Sequence, residues 1–226
     1  MTSELFRWVV IISTLSPVVP LVCLSKSWNR QPRQNLILAL SILISLIFDA
    51  TSWVIVTFYH RPNSLLNNLY FFLSFPVVMW FYHEILVRKS LKNATRIFTV
   101  IVFVLGMILF LRSGMNVMHH GLFLIASILI SISSLLFIRD LNLMTASDFF
   151  TNKFHKTNII LNTSLALYSF TAVIVFSVSD YVYENASREG FRFFWAFHNA
   201  LNILKNIGIA IAFYLSAKVV SSNEPR

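Results

Sequence analysis

Seven stretches of this chain are apolar for long enough to cross a bilayer, whose hydrocarbon core of about 30 Å takes roughly 20 helical residues. They run approximately over 5–24, 35–58, 68–87, 97–112, 118–138, 158–181 and 192–217. In lipid, an isolated segment must satisfy its own backbone N–H and C=O groups, which for runs of this length means the α-helix. The expected fold is therefore all-α, a polytopic membrane protein whose single domain, residues 1–226, is a seven-transmembrane-helix bundle. Composition agrees: 57% of residues are hydrophobic, 12% are charged and mean hydropathy is +0.71, values foreign to soluble domains. The fourth run is the shortest, lying between Arg96 and Arg112, and snorkelling arginines complete it. Glu4, Pro17 and Pro20 in the first run argue for a permanent helix rather than a signal peptide, and only Pro76 is expected to break a helix near mid-depth.

The net charge of +9 would suggest nucleic acid in a soluble protein, but here the basic residues sit in short connections between apolar runs. They report topology instead. With the N-terminus outside, the inner side holds Lys26, Arg30, Arg33, Arg88, Lys89, Lys92, Arg96, Arg139, Lys153, Lys156, Lys218 and Arg226. The outer side then holds only Arg7, Arg61, Arg112, Arg188 and Arg192, so the positive-inside rule gives N-terminus outside and C-terminus cytoplasmic. Trp8, Tyr59, Tyr70, Tyr181 and Tyr183 read as an outer interfacial belt. The expected partners are the lipid bilayer and a separate signalling protein at the cytoplasmic face near residues 139–156, with no nucleic acid. In that connection Thr145 and Asp148 have capping-box spacing, and Phe149, Phe150 and Phe154 beside Lys153 and Lys156 suggest a short interfacial helix. The lone Cys23 excludes an internal disulfide.

The last run carries polar groups that lipid cannot serve. In FHNALNILKN, at 100° per residue, Trp195, His198, Asn199, Asn202, Lys205 and Asn206 fall within an arc of about 120°, and Leu201, Ile203, Leu204 and Ile207 fill the rest. That face must look into the bundle or a watery cavity. Lys205 is too deep to snorkel easily, and the carboxylate at matching depth is Asp49 of the second run, padded by Asn199, Asn202 and Asn206 and by hydroxyls such as Ser45 or Ser52. Asp49, Trp195, His198, Asn199, Asn202, Lys205 and Asn206 form the candidate polar core; His83 and Glu84, near the inner end of the third run, are cytoplasmic-end candidates. Ser127, Ser131 and Ser134, at helical spacing, read as a close-packing face.

No Ser-His-Asp set, Gly-rich phosphate loop or His-Glu-x-x-His motif is present. The residue four after His198 is Asn202, unlike the last helix of zinc-dependent seven-helix lipid hydrolases, so neither an enzyme nor a metal site is expected. Lys205 resembles the retinal Schiff-base position of microbial rhodopsins, yet Leu201 and Asn202 stand one turn before it and LSFPVVMW of the third run has no counterion. No cofactor is expected, with retinal on Lys205 and Asp49 as substitute counterion the alternative. An acidic residue in helix two facing asparagines in helix seven also resembles the polar core of G-protein-coupled receptors, without their signature motifs. As a whole, the chain is similar to uncharacterised seven-helix integral membrane proteins of Bacteroidota-type bacteria, through the FHNALN motif at Phe197–Asn202 of the last helix. That resemblance implies the inner (plasma) membrane and no particular activity. The expected function is a receptor-like sensor relaying a signal to a separate partner; a small-solute or ion transporter is the alternative, and a retinal photoreceptor the second.

Overall fold

A computed structural model describes residues 2–60, 62–114, 116–143 and 155–221. The connection carrying Thr145, Asp148 and the three phenylalanines lies outside the described residues. Among the described residues, eight α-helices are α1 (Ser3–Leu15), α2 (Val18–Ser25), α3 (Arg33–Phe58), α4 (Ser64–Ile85), α5 (Lys89–Ser113), α6 (His120–Asn142), α7 (His155–Asn185) and α8 (Arg188–Ser221), with a 3-10 turn at Trp28–Arg30. Among the described residues, seven helical segments are long and apolar enough to cross a membrane, α1 and α2 together counting as the first. Seven crossings put Thr2 and Ser221 at opposite ends of the bundle.

Most helices outrun their hydropathic segments. α5 begins at Lys89 rather than near 97, and α8 begins at Arg188 rather than 192, because a helix that has left hydrocarbon continues while its exposed face carries Lys and Arg. Helix ends follow local chemistry. Thr2 Oγ1 accepts from Leu5 N–H at 3.4 Å at the start of α1, and Gly114 (φ +81°) closes α5 where a side chain would be strained.

The first span is where the structure departs from the sequence reading. Pro76 sits inside an unbroken α4, whereas the Ser16-Pro17 turn divides the first span just past its middle. Pro17 and Pro20 lack N–H groups, which orphans the carbonyls of Ser13 and Ser16. Local groups take over: Ser16 Oγ donates to Ser13 O at 2.7 Å, and Val19 N–H to Ser16 O at 3.2 Å.

The first span packs on α3 and α8, α3 on α4, α4 on α6, α6 on α7, and α7 on α8, which closes a ring of six spans. α5 lies outside the ring against α4 and α6, and its outer face, with Leu111 83% exposed, is left to lipid. Toward the C-terminal end the ring is filled by an apolar plug of Leu38, Phe81, Tyr82, Phe137, Leu161, Ile209 and Phe213, all buried. Ser127, Ser131 and Ser134 form the expected close-packing face: Ser131 Oγ donates to Ser127 O at 2.8 Å and to Ser169 Oγ of α7 at 3.1 Å.

Candidate functional site

Above the plug the ring encloses a cavity of about 820 Å³, lined by residues of α1, α3, α4, α6, α7 and α8. Phe6 and Arg7 at the start of α1, Thr57 near the end of α3 and Phe191 near the start of α8 share the bundle's N-terminal end and line its upper part. Lys205, Asn206 and Ile209, at mid-depth of α8, line its floor against the plug. All seven residues assigned to the polar core, Asp49, Trp195, His198, Asn199, Asn202, Lys205 and Asn206, line this one cavity.

The helical face of α8 is therefore as the spacing gave it, but its partners divide differently. Asn202 Nδ2 donates to Ser13 Oγ at 3.0 Å, and Asn206 Nδ2 donates to Ser16 Oγ at 2.7 Å. Both tie α8 to the interrupted first span rather than padding Asp49. Asn199 Nδ2 returns to the Trp195 carbonyl at 2.8 Å on its own helix. These two inter-helix bonds put a rigid wall along one side of the cavity.

Asp49 and Lys205 face the cavity from α3 and α8. The Asp49 carboxylate accepts from Ser45 Oγ at 3.0 Å, one turn below it. Lys205, 9% exposed, lays its ammonium over the Tyr168 ring, 4.3 Å from the centroid. The two charges act on each other electrostatically but lie beyond ion-pair contact, which ends at 4.0 Å. They face each other across the floor without neutralising each other at contact.

Tyrosines fill the space around them. Tyr70 of α4 stands beside Asp49, Ser45 and Ser74, where the sequence placed it in the interfacial belt. Its place in the second turn of α4 is deep enough to reach α3. Trp8, Tyr59, Tyr181 and Tyr183, by contrast, are exposed as a belt requires. Tyr168 of α7 was missed altogether; its signal is a phenol at the middle of an apolar run rather than at an end. His198 Nε2 lies 3.3 Å from the Tyr168 hydroxyl, and the imidazole is enclosed by Tyr168, Phe176 and Trp195 at centroid distances of 5.3, 6.0 and 5.7 Å. Its Nδ1 is buried with no protein hydrogen-bond partner.

His83 and Glu84 lie away from the cavity. His83 contacts the Lys92 carbonyl at 3.2 Å and Arg96 Nη2 at 2.8 Å, while Glu84 accepts from Trp80 Nε1 at 3.1 Å and lies 3.6 Å from Arg33 Nη2. They brace α4 against α3 and α5. A second polar layer, unforeseen, lies beneath the plug. Asn35 Nδ2 donates to Gln31 Oε1 at 2.7 Å and to Ser216 Oγ at 2.9 Å, and Gln31 Nε2 donates to the Phe213 carbonyl at 3.0 Å. α8 thus contributes to the cavity with its first half and to this layer with its last turns.

Among the described residues, no three His, Cys, Asp or Glu side chains are grouped to hold a metal ion. The chain matches no protein-family model, no curated protein and no solved structure. Function is read from the site's own chemistry.

Proposed function

We propose that this multi-pass protein resides in the inner (plasma) membrane, N-terminus outside and C-terminus cytoplasmic, and is a receptor-like sensor. Its cavity takes a small ligand from the outer side, and a separate partner reads the opposite face. The observation that carries this reading is a large cavity rising from a charged floor to one end of the bundle and underlain by a packed apolar plug. A ligand on the floor touches α8, whose distal turns hold Gln31 and Asn35 beneath the plug. A shift of α8 therefore reaches the other face as changed packing, which is the two-state element a relay needs.

One observation favours a carrier as the second reading. The interruption at Pro17 lies beside the cavity and is held to α8 by Asn206, and broken helices at mid-depth are a device of transporters. Cysteine accessibility separates the two. In a Cys23→Ser background, Ser45→Cys on the cavity wall is treated with a membrane-impermeant methanethiosulfonate from each side in turn. The sensor reading expects modification from the outer side alone; modification from both sides replaces it with the carrier, and modification from neither side sinks the pocket itself.

A further inference from the structure

We infer that the cavity floor is built for a small zwitterion of amino-acid type, its carboxylate on Lys205, its ammonium on Asp49 and an apolar body in the aromatic space above. The inference rests on the reading of the cavity as a ligand site and adds the chemical class. Asp49 and Lys205 are opposite charges on one cavity floor, held by different helices and out of contact. What each touches in the protein is neutral: a serine hydroxyl for Asp49, the π face of Tyr168 for Lys205. Charges so placed have only neutral protein groups in contact with them, and a ligand that brings the complementary charge to each is matched twice.

A ligand with a single charge compensates one side and leaves the other as it was. Discrimination therefore arises from the unmatched group as much as from the matched one. Among the described residues, Arg7 is the other charged residue lining the cavity, high on α1 at the mouth, so the floor is where ligand charge is decided. Above the floor, Phe71, Phe176, Trp53 and Trp195 line the walls and suit an apolar body. His198 Nδ1 adds a buried polar atom with no protein partner beside the same space.

The test uses the full chain in lipid nanodiscs, read by tryptophan fluorescence, to which Trp53 and Trp195 contribute from the cavity wall, and by thermal unfolding. The probes are L-phenylalanine and L-leucine as zwitterions, 2-phenylethylamine and 3-phenylpropionate as single-charge analogues, and benzyl alcohol as the neutral body. The zwitterions are expected to bind about tenfold or more tightly than either single-charge analogue, the discrimination expected when one buried charge is left unmatched. The Asp49→Asn/Lys205→Met double variant, which leaves no lone charge and so keeps a foldable core, is expected to lose that preference while still binding benzyl alcohol. Equal or tighter binding of a single-charge or neutral probe overturns the zwitterion inference and leaves the pocket standing. Binding of no probe overturns it as well, and the Ser45→Cys labelling then decides separately whether the pocket reading falls with it.

Discussion

Asn206 of α8 donates to Ser16 Oγ at 2.7 Å, and Ser16 is the residue at which the first span turns between α1 and α2. Asn206 is 1% exposed, so its amide has no recourse to water. Replacing it with Leu is expected to destabilise the protein by about 1–2 kcal/mol, with about 0.6 kcal/mol of that coupled to Ser16, the average for inter-helix hydrogen bonds in membranes. A double-mutant cycle with Ser16→Ala, read by thermal unfolding in detergent, measures the coupling. Additive losses would mean that the bond contributes nothing between these helices.

The seven spans were legible because lipid imposes one rule on every crossing segment, and apolar length is that rule written in the sequence. The helix ends were less so, since Lys89, Lys92 and Arg96 interrupt the hydropathy of α5 but not its hydrogen bonding. The polar face of α8 was legible from spacing alone. Its partners were not: spacing says which side chains face inward together, not which helix stands opposite. Asn202 and Asn206 thus meet Ser13 and Ser16 of the first span rather than Asp49. Pro17 and Pro76 look alike in sequence. Pro17 acts together with Pro20, three residues on, and a serine hydroxyl beside it satisfies a freed carbonyl, so the helix turns there. Tyr70 and Tyr168 were illegible as site residues because a phenol near the end of a run reads as interface and one in its middle as bulk.

Across the cavity floor, Asp49 and Lys205 act on each other without touching, which predicts a coupling smaller than that of a contact ion pair. Asp49→Asn and Lys205→Met are each expected to lower stability, and the double variant to lose less than the sum, by about 1–2 kcal/mol. Unfolding of the four proteins under one condition checks this. Strict additivity would show that the charges are independent.

Lys205 is also where an aldehyde cofactor such as retinal would attach. The ammonium lies against the Tyr168 ring, and among the described residues no carboxylate is within contact to hold a protonated imine. Protein expressed with all-trans retinal is therefore expected to show no visible band that depends on Lys205. A band present in the parent and absent in Lys205→Ala would overturn this and make Asp49 a counterion.

α7 and α8 pack closely at Gly208, where an added Cβ would run into Ser164 Oγ and lie 3.1 Å from Ser164 Cβ. Both helices line the cavity, so any wedge here moves its wall. Gly208→Ala is expected to cost about 1–3 kcal/mol through overpacking. Adding Ser164→Gly should recover most of it, because both clashing atoms go. A loss that persists in the double variant would place the effect in helix propensity or elsewhere.

Asp140, near the end of α6, is a buried carboxylate engaged by the α4–α5 connection. Oδ1 lies 3.1 Å from Arg88 Nε, and Oδ2 accepts from the backbone N–H groups of Val87 and Arg88 at 3.2 and 3.4 Å, just before α5 begins. The two partners are unequal: the Asp140 side chain is 2% exposed and that of Arg88 44%. Removing the arginine leaves the carboxylate its backbone donors and costs what a half-exposed pair costs, about 1 kcal/mol or less. Removing the carboxylate takes the acceptor from two backbone donors and the partner from an arginine at once, so Asp140→Ala is expected to cost about 1–3 kcal/mol. Limited proteolysis and thermal unfolding of the two variants rank them. If Arg88→Ala proves the more damaging, the charge pair rather than the capping of the α4–α5 connection holds this corner, and the backbone bonds are incidental.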